Sequence, residues 1–338
     1  MVKTNCPGRK TPVIARICAT LLVALTTYFT ASSNARAEDN YPGRPVRIIV
    51  PTPPGGPVDV VARLVAHYLS GALGESAFVD NRPGAGNTIG SREAARAAPD
   101  GYTLHYSSIS GLVLAPMLHK EAGYDAIGSF APIAAVATTA IILVVHPSFP
   151  AHSVAELVAY AKSHPGAVNF SSGGIGVLPH LVGEMFRSRA GIDIVHVPYK
   201  GGGPSIQDVV AGNIQMTFEG SGVLLPLIES GKLRALAVAG TQRNPALPDV
   251  PTMIESGYPG FITSGWTGLL APAGAPAPII SRLNAAINAG LQSEELKAGL
   301  AKLRAETLGG TPQDFTELIR SDIARWEPIV RSLNVKVD

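Results

Sequence analysis

Cysteine is almost absent: the 338 residues hold only Cys6 and Cys18. Both fall in a leading stretch that reads as a removable export signal. The working chain is then left without thiols, which excludes disulfides, cysteine nucleophiles and cysteine-ligated metals. Aromatic residues make up 6% and charged residues 15% of the chain, and neither sign of charge dominates, with 27 basic groups against 25 acidic ones. Five of the basic groups (Lys3, Arg9, Lys10, Arg16 and Arg36) precede the first acid, Glu38, and removing them moves the net charge from +2 to about −3. That leaves no basic footprint for nucleic acid.

Catalytic and cofactor signatures are missing as well. There is no Gly-x-Ser-x-Gly elbow, no His-Glu-x-x-His and no Walker sequence. The eight histidines (His67, His105, His119, His146, His152, His164, His180 and His196) show no metal-ligand spacing. The run from Gly84 to Gly90 has one residue too many between its second and third glycines for a dinucleotide fingerprint, and it reads as a turn. The expected catalytic, metal and cofactor sets are therefore empty.

What is present begins with the layout of a signal peptide: an acid-free basic start, an apolar run over 17–29, and Ala35-Arg36-Ala37 as the cleavage site, after Ala37. The apolar run is shorter than the ~20 residues of a bilayer span, and no later run replaces it. Arg9-Lys10 is not a twin arginine, and Cys18 has no lipobox leucine before it, so the general export route is expected, with a product free of a lipid anchor. About 300 residues remain, enough for roughly two domains.

From residue 41 the chain alternates strand, Gly-rich turn and helix. VRIIV at 46–50 is a β-branched strand, and Val60, Val61, Leu64, Val65, Tyr68 and Leu69 repeat at helical spacing up to Gly74. Strands follow at 77–79 and 102–106, with a helix between them ending at Ala98. The same grammar recurs after residue 140. Strands are expected at 141–145, 168–170, 194–197, 216–218 and 233–239, with helices between them, one of which would be capped by Ser205 and Asp208. The last part, 261–338, reads as one strand near 265–270 and two long helices starting at Pro278 and Pro312. It holds too few strands for a third domain, so it is expected to return to the first unit. The fold class is α/β, with two lobes of mostly parallel sheet, the second inserted in the first through two or three crossing strands. The boundaries are 1–37 for the signal, 38–139 with 261–338 for lobe 1, and 140–260 for lobe 2.

Ligands in such lobes bind beyond the carboxyl ends of the strands, where helix N-termini point. Four Gly-rich segments fall there: 52–57, 84–90, 171–176 and 200–203. Glycine lets main-chain N–H groups approach a guest and the helix dipole favours an anion, so a carboxylate is the natural occupant; turning the chain is the plainer role for any one loop. His180 follows the 171–176 loop by one helical turn and reads as bonded to the loop backbone, with general base work as the alternative. Asp59 either only caps its helix or, in a functional role, bonds back to the Gly55-Gly56 backbone or meets a ligand amine.

These residues resemble a known family. The blocks PGRPVRIIVPTPPGGPVDVVARL, VDNRPGAGNTIG, APDGYTL, HPSFPAHSVAELVAYAKSHPG, HVPYKGGGPSIQDVVAGNIQMTFEG, GKLRALAVAG, PDVPTMIESGYPG and WTGLLAPAGAP, in that order, are similar to the Bug-type (TctC-like) periplasmic solute-binding proteins of tripartite tricarboxylate transporters. The resemblance implies a type II-like two-lobed clamp in the periplasm, a monomer that is not an enzyme, holding one small organic carboxylate through loop backbone and bridging water and delivering it to the transporter's membrane subunits. It implies a first gripping loop with Thr52, Pro54, Gly55, Gly56 and Asp59, and a second with Ser171, Ser172, Gly174, Ile175, Gly176, Val177 and His180. Ser107, Ser108, Lys200 and Glu219 would line the cleft.

Three departures from the family pattern bear on the guest. Thr52 and Pro57 stiffen the first loop and add a hydroxyl, Val177 stands where Thr or Ser is usual, and Glu219 stands where Asp is common. An aromatic or larger carboxylate is expected in place of a compact tricarboxylate. Two other readings stay open: an exported α/β hydrolase of a small ester or amide, using a serine near Ser171 with His180, and a ligand-sensing protein for a membrane sensor.

Overall fold

A β-branched run forms the first strand. β1 (Val46–Val50) is buried along most of its length and pairs in parallel with β2 (Ala77–Asn81) and β3 (Thr103–Ser108). The computed structural model describes residues 41–333 together with Val2. The expected signal segment, Val2 apart, lies outside the described residues. The chain divides after Gly43, and the elements below all belong to the compact unit that begins at Arg44.

α1 (Pro57–Leu73) starts on a proline, whose fixed φ suits a first helical position, and ends at Gly74 in the left-handed region (φ 77). Its apolar face buries Val61, Val65 and Leu69, each contributing roughly 1.5–3 kcal/mol of burial. α2 (Thr88–Ala95) follows β2 and stops three residues before the expected Ala98. After β3 a π-helical turn (Ser110–Leu114) runs into the short α3 (Ala115–Leu118), an element that the sequence pattern did not announce.

β4 (Phe130–Val145) is 16 residues long, where a strand over 141–145 was expected. Its first part pairs with β9 (Ser264–Pro272) and β10 (Glu306–Gly309), and its last five residues pair with β7 (Met216–Gly220) and β8 (Arg234–Val238). One strand is thus shared by two half-sheets, in the order β2-β1-β3-β9-β4-β7-β5-β6, where β5 is Val168–Ser172 and β6 is Ile194–Pro198. Each half keeps parallel pairs at its outer side, β2-β1-β3 in one and β7-β5-β6 in the other, and turns antiparallel toward β4. The second chain crossing runs from β8 to β9, where Thr263 N–H donates to the Ala239 carbonyl oxygen at 2.9 Å.

In the second half, α4 (Val154–Ser163) is capped by Ser153. β5 (Val168–Ser172) leads to α5 (Leu178–Ala190), and β6 (Ile194–Pro198) to α6 (Gly202–Val210). α6 begins inside the glycines, with Gly201 as its N-cap, so Ser205 and Asp208 are not its cap. Ser205 instead donates to the Ser171 hydroxyl (2.8 Å), and Asp208 receives the Tyr199 phenol. α7 (Ser221–Glu229) follows β7 directly.

At the C-terminal end the two expected helices are present as α8 (Ala277–Gln292) and α10 (Pro312–Leu333), with α9 (Glu294–Lys302) and β10 added between them. Ser293 caps α9 and so splits what reads as one helix. Among the described residues no helix is long and apolar enough to cross a membrane.

Candidate functional site

The carboxyl ends of β1 and β3 carry one set of loops, and those of β5, β6 and β7 carry another. In the first set, Asp59 is 1% exposed and holds the 51–57 loop in shape. Its Oδ2 accepts from Gly55 N–H (2.8 Å) and Arg63 Nε (3.0 Å), and its Oδ1 accepts from Asn81 Nδ2 (2.8 Å). Asn81 Nδ2 also donates to the Thr52 carbonyl oxygen at 3.0 Å. Burial would raise the Asp59 carboxyl, but bonds from Arg63, Gly55 and Asn81 outweigh it and hold the group below its ordinary value. Of the readings of Asp59, the geometry is that of a bond back to the loop: the helix N-cap is Gly56, and both carboxylate oxygens are already engaged.

Around that anchor, Pro54 and Gly55 are exposed and Thr52 and Gly56 half-buried. The Thr52 hydroxyl oxygen is buried and has no partner among the described residues. At the end of β3, Ser107 is buried and lies beside Gly111, and among the described residues its hydroxyl makes a single long bond (3.5 Å), to the Ser108 carbonyl oxygen. Ser108 is half-buried.

The second set centres on two stacked histidines. Gly176 N–H donates to His180 Nδ1 at 3.0 Å, the loop-backbone role expected of that residue. The His180 proton therefore sits on Nε2, 3.9 Å from Glu184 Oε1, while Arg187 holds the other Glu184 oxygen at 2.7 Å. The His196 ring lies 3.9 Å from the His180 ring, centroid to centroid, and its Nε2 is 2.7 Å from Ser172 Oγ. Burial first, then Arg187, pushes His180 down to about 4; burial first, then His180 and Arg187, pushes His196 down to about 3.

Ser172 is fully buried and donates to the Gly174 carbonyl oxygen (2.8 Å), so its hydroxyl faces its own loop. Ser171 is also buried and donates to the Ser205 carbonyl oxygen at 3.3 Å. No serine here is exposed beside a basic histidine, so this geometry gives the hydrolase reading no support. Ile175 is 40% exposed, and Val177 is half-buried where the chain enters α5.

The 171–176 and 199–202 loops are bound to each other. Tyr199 N–H donates to the Ser172 carbonyl oxygen (2.9 Å) and Gly201 N–H to that of Gly173 (3.0 Å). A Cβ on Gly173 would stand 2.8 Å from Gly202 N, so the close approach requires glycine there. Glu219, at the end of β7, is half-buried; its Oε1 accepts from Gly220 N–H (2.9 Å), and its Oε2 lies over Gly202 at the start of α6. Burial, partly offset by the Gly220 bond, pushes this carboxyl up to about 7. Lys200 is exposed and forms no ion pair with a described residue.

Contacts between the two sets come from residues the sequence did not mark. Leu178 N–H, at the first position of α5, donates to Ser110 Oγ at 3.0 Å. Ser221 Oγ reaches the Arg304 carbonyl oxygen at 3.4 Å, and Arg304 pairs with Glu229 at 3.1 Å. Among the described residues no group of three or more His, Cys, Asp or Glu side chains gathers into a metal site. Two surface hollows lie away from these loops, about 220 Å³ between α5 and α10 and about 500 Å³ between α4, α5 and residues 256–258.

Two half-sheets that share β4, with loops gathered at their strand ends, make a two-lobed architecture of the kind found in periplasmic binding proteins. Comparison with known proteins gives the family: residues 61–335 match the tripartite tricarboxylate transporter family receptors (TctC), and the chain belongs to that family. It is 38% identical to protein BugT of Bordetella pertussis over 94% of this chain and 99% of that one. Among solved structures, the periplasmic binding protein BugD is 35% identical, with a TM-score of 0.80 over 88% of this chain and 99% of that one. R. palustris Rpa4515, solved with adipate, is 34% identical, with a TM-score of 0.82 over the same shares.

Proposed function

We propose that this receptor captures a small organic carboxylate in the cleft between its lobes, in the periplasm, and hands it to the membrane subunits of a tripartite tricarboxylate-type transporter. The carrying observation is the pair of main-chain-rich loops, 52–59 and 171–180, each stiffened from behind by a side chain, Asp59 or His180, that bonds to the loop amide. Stiff loops presenting N–H groups at helix starts suit an anionic guest and leave no group poised to break a bond. Binding of adipate by Rpa4515 supports the carboxylate class.

On this reading lobe 1 comprises 38–139 and 261–338 and lobe 2 comprises 140–260; the change of pairing partners in β4 between Ala140 and Ile141 supports that division. The guest touches Thr52, Pro54, Gly55 and Gly56 on one side, Gly174, Ile175, Gly176 and Val177 on the other, with Ser108, Lys200 and Glu219 around it. Asp59, Ser107, Ser171, Ser172 and His180 shape the loops from behind. Val177 and the exposed Ile175 favour a guest with an apolar, aromatic or larger body. The chain works as a monomer, exported with cleavage after Ala37.

Thermal-shift screening of aliphatic and aromatic carboxylates tests the reading. A true guest at a hundredfold excess over its Kd adds about 2.7 kcal/mol to stability. A chain that no carboxylate stabilises, but that cleaves an ester or amide, overturns it. Citrate binding far more tightly than any aromatic acid overturns the finer statement alone.

A further inference from the structure

Glu219 is an anomaly in a site read as a carboxylate trap. Its Oε1 is held by Gly220 N–H at 2.9 Å, while Oε2 accepts no hydrogen bond and neither oxygen forms an ion pair among the described residues. The ionisable groups of the neighbouring elements are committed elsewhere or form no ion pair with it. Asp208 of α6 receives Tyr199 and Asn213, Glu229 of α7 pairs with Arg304, β4 opposes it with Ile142, and Lys200 is exposed. A half-buried acid with a free oxygen and no cation paired with it among the described residues repels a second carboxylate and rewards a donor.

We propose that Glu219 sets the specificity of the site, its free oxygen accepting from a hydroxyl or ammonium on the guest, so that hydroxy- and amino-carboxylates are taken in preference to dicarboxylates. This rests on the carboxylate-receptor reading and deepens it by assigning the second functional group of the guest. One end of the guest meets loop amides, which cannot accept a hydrogen bond; the other meets Oε2, which as a carboxylate cannot donate one. When Glu219 is protonated it can donate to a carboxylate, so acid erodes the discrimination, in keeping with its raised ionisation near pH 7.

Isothermal titration with adipate, omega-hydroxyhexanoate and omega-aminohexanoate, and with the matching succinate-length set, tests this. In the wild-type protein at about pH 8.5 the hydroxy or amino member of a set should bind roughly tenfold or more tightly than the dicarboxylate, and the gap should shrink at about pH 6. In Glu219→Gln, whose amide both donates and accepts, the dicarboxylate should gain and the pH dependence should vanish. A wild-type protein that binds the dicarboxylate as tightly at the higher pH overturns the proposal without any variant being needed, as does an unchanged ranking in Glu219→Gln. Failure of every carboxylate to bind, at either pH, defeats the underlying receptor reading and this assignment with it. Binding without discrimination defeats this assignment alone.

Discussion

The hydroxyl of Ser110 accepts a hydrogen bond at 3.0 Å from the main-chain N–H of Leu178, 68 residues further along the chain. Ser110 follows β3 in the first half-sheet, and Leu178 opens α5 in the second, so a side chain of one half caps a helix of the other. Helix N-termini leave N–H groups unpaired, and this one lies at the end of the 171–176 loop.

Ser110→Ala should therefore loosen this contact between the two halves and weaken binding of the proposed carboxylate guest. Leu178 is 3% exposed, and its N–H would be left without an acceptor, at a cost of about 1–2 kcal/mol, or five- to thirtyfold in Kd. Titration calorimetry beside a urea melt separates the two ways this cost could appear. Unchanged affinity with an equal loss of stability would make Ser110 a structural cap and nothing more.

Gly173 permits the contact between the 171–176 and 199–202 loops. An added Cβ meets main-chain atoms of Gly201 and Gly202 at 3.0 and 2.8 Å, and main chain cannot swing aside as a long side chain can. Gly173→Ala should cost about 1–3 kcal/mol of stability and part the loops, with a loss of affinity in the same titration. Gly203→Ala is the control: a Cβ there meets nothing within 4 Å, and removing a helical glycine should be neutral or stabilising by up to about 1 kcal/mol. Equal behaviour of the two variants would dismiss the close approach as the reason for glycine at 173.

Much of this arrangement is legible in the sequence, and the reason differs by element. The β1, α1 and α5 boundaries follow from a β-branched run, a proline start and a glycine stop, all local signals. The first part of β4 is not legible: FAPIAAVATTA is rich in alanine and carries Pro132, a weak strand sequence that is held by β9 and β10 from distant parts of the chain. Ser110 and His196 escape notice for the same reason, since each acquires its role from a partner remote in sequence. His180 was legible because its partner, Gly176, lies one turn away.

Acid should loosen the second loop through its histidines. His180, at about 4, must be neutral for Nδ1 to accept from Gly176, whereas the unfolded chain takes up its proton near pH 6.5. A lowered histidine contributes stability that is intact above about pH 6.5 and is lost as pH falls toward 4, about 3 kcal/mol for His180. His196 and His105 are lowered by burial and act in the same direction. Glu219, raised to about 7, acts oppositely, its contribution being lost as pH rises, so the wild-type slope is less than the histidines alone would give. Urea midpoints at about pH 7.5 and pH 5 should differ less in His180→Gln than in the wild-type protein. Identical differences would place the acid sensitivity elsewhere.

Trp266 and Asp322 tie the crossing strand β9 to the last helix. Trp266 Nε1–H donates to Asp322 Oδ2 at 2.6 Å, with both residues buried, and the Trp266 ring meets Phe315 edge-on at 5.3 Å. α10 also packs against β4 and α5, so the bond fixes the helix that spans the strands joining the two halves. Asp322→Ala leaves the indole N–H buried without an acceptor and should cost about 1–3 kcal/mol. Asp322→Asn keeps an acceptor and separates geometry from charge. Burial raises the Asp322 carboxyl above its ordinary value in spite of Trp266 and Arg325, so ionisation there works against the fold as pH rises. An asparagine cannot ionise. The stability difference between Asp322→Asn and the wild-type protein, followed by urea melts from about pH 4 to pH 7, should therefore move in favour of the asparagine; movement in the other direction would mean that the Trp266 bond depends on a full negative charge.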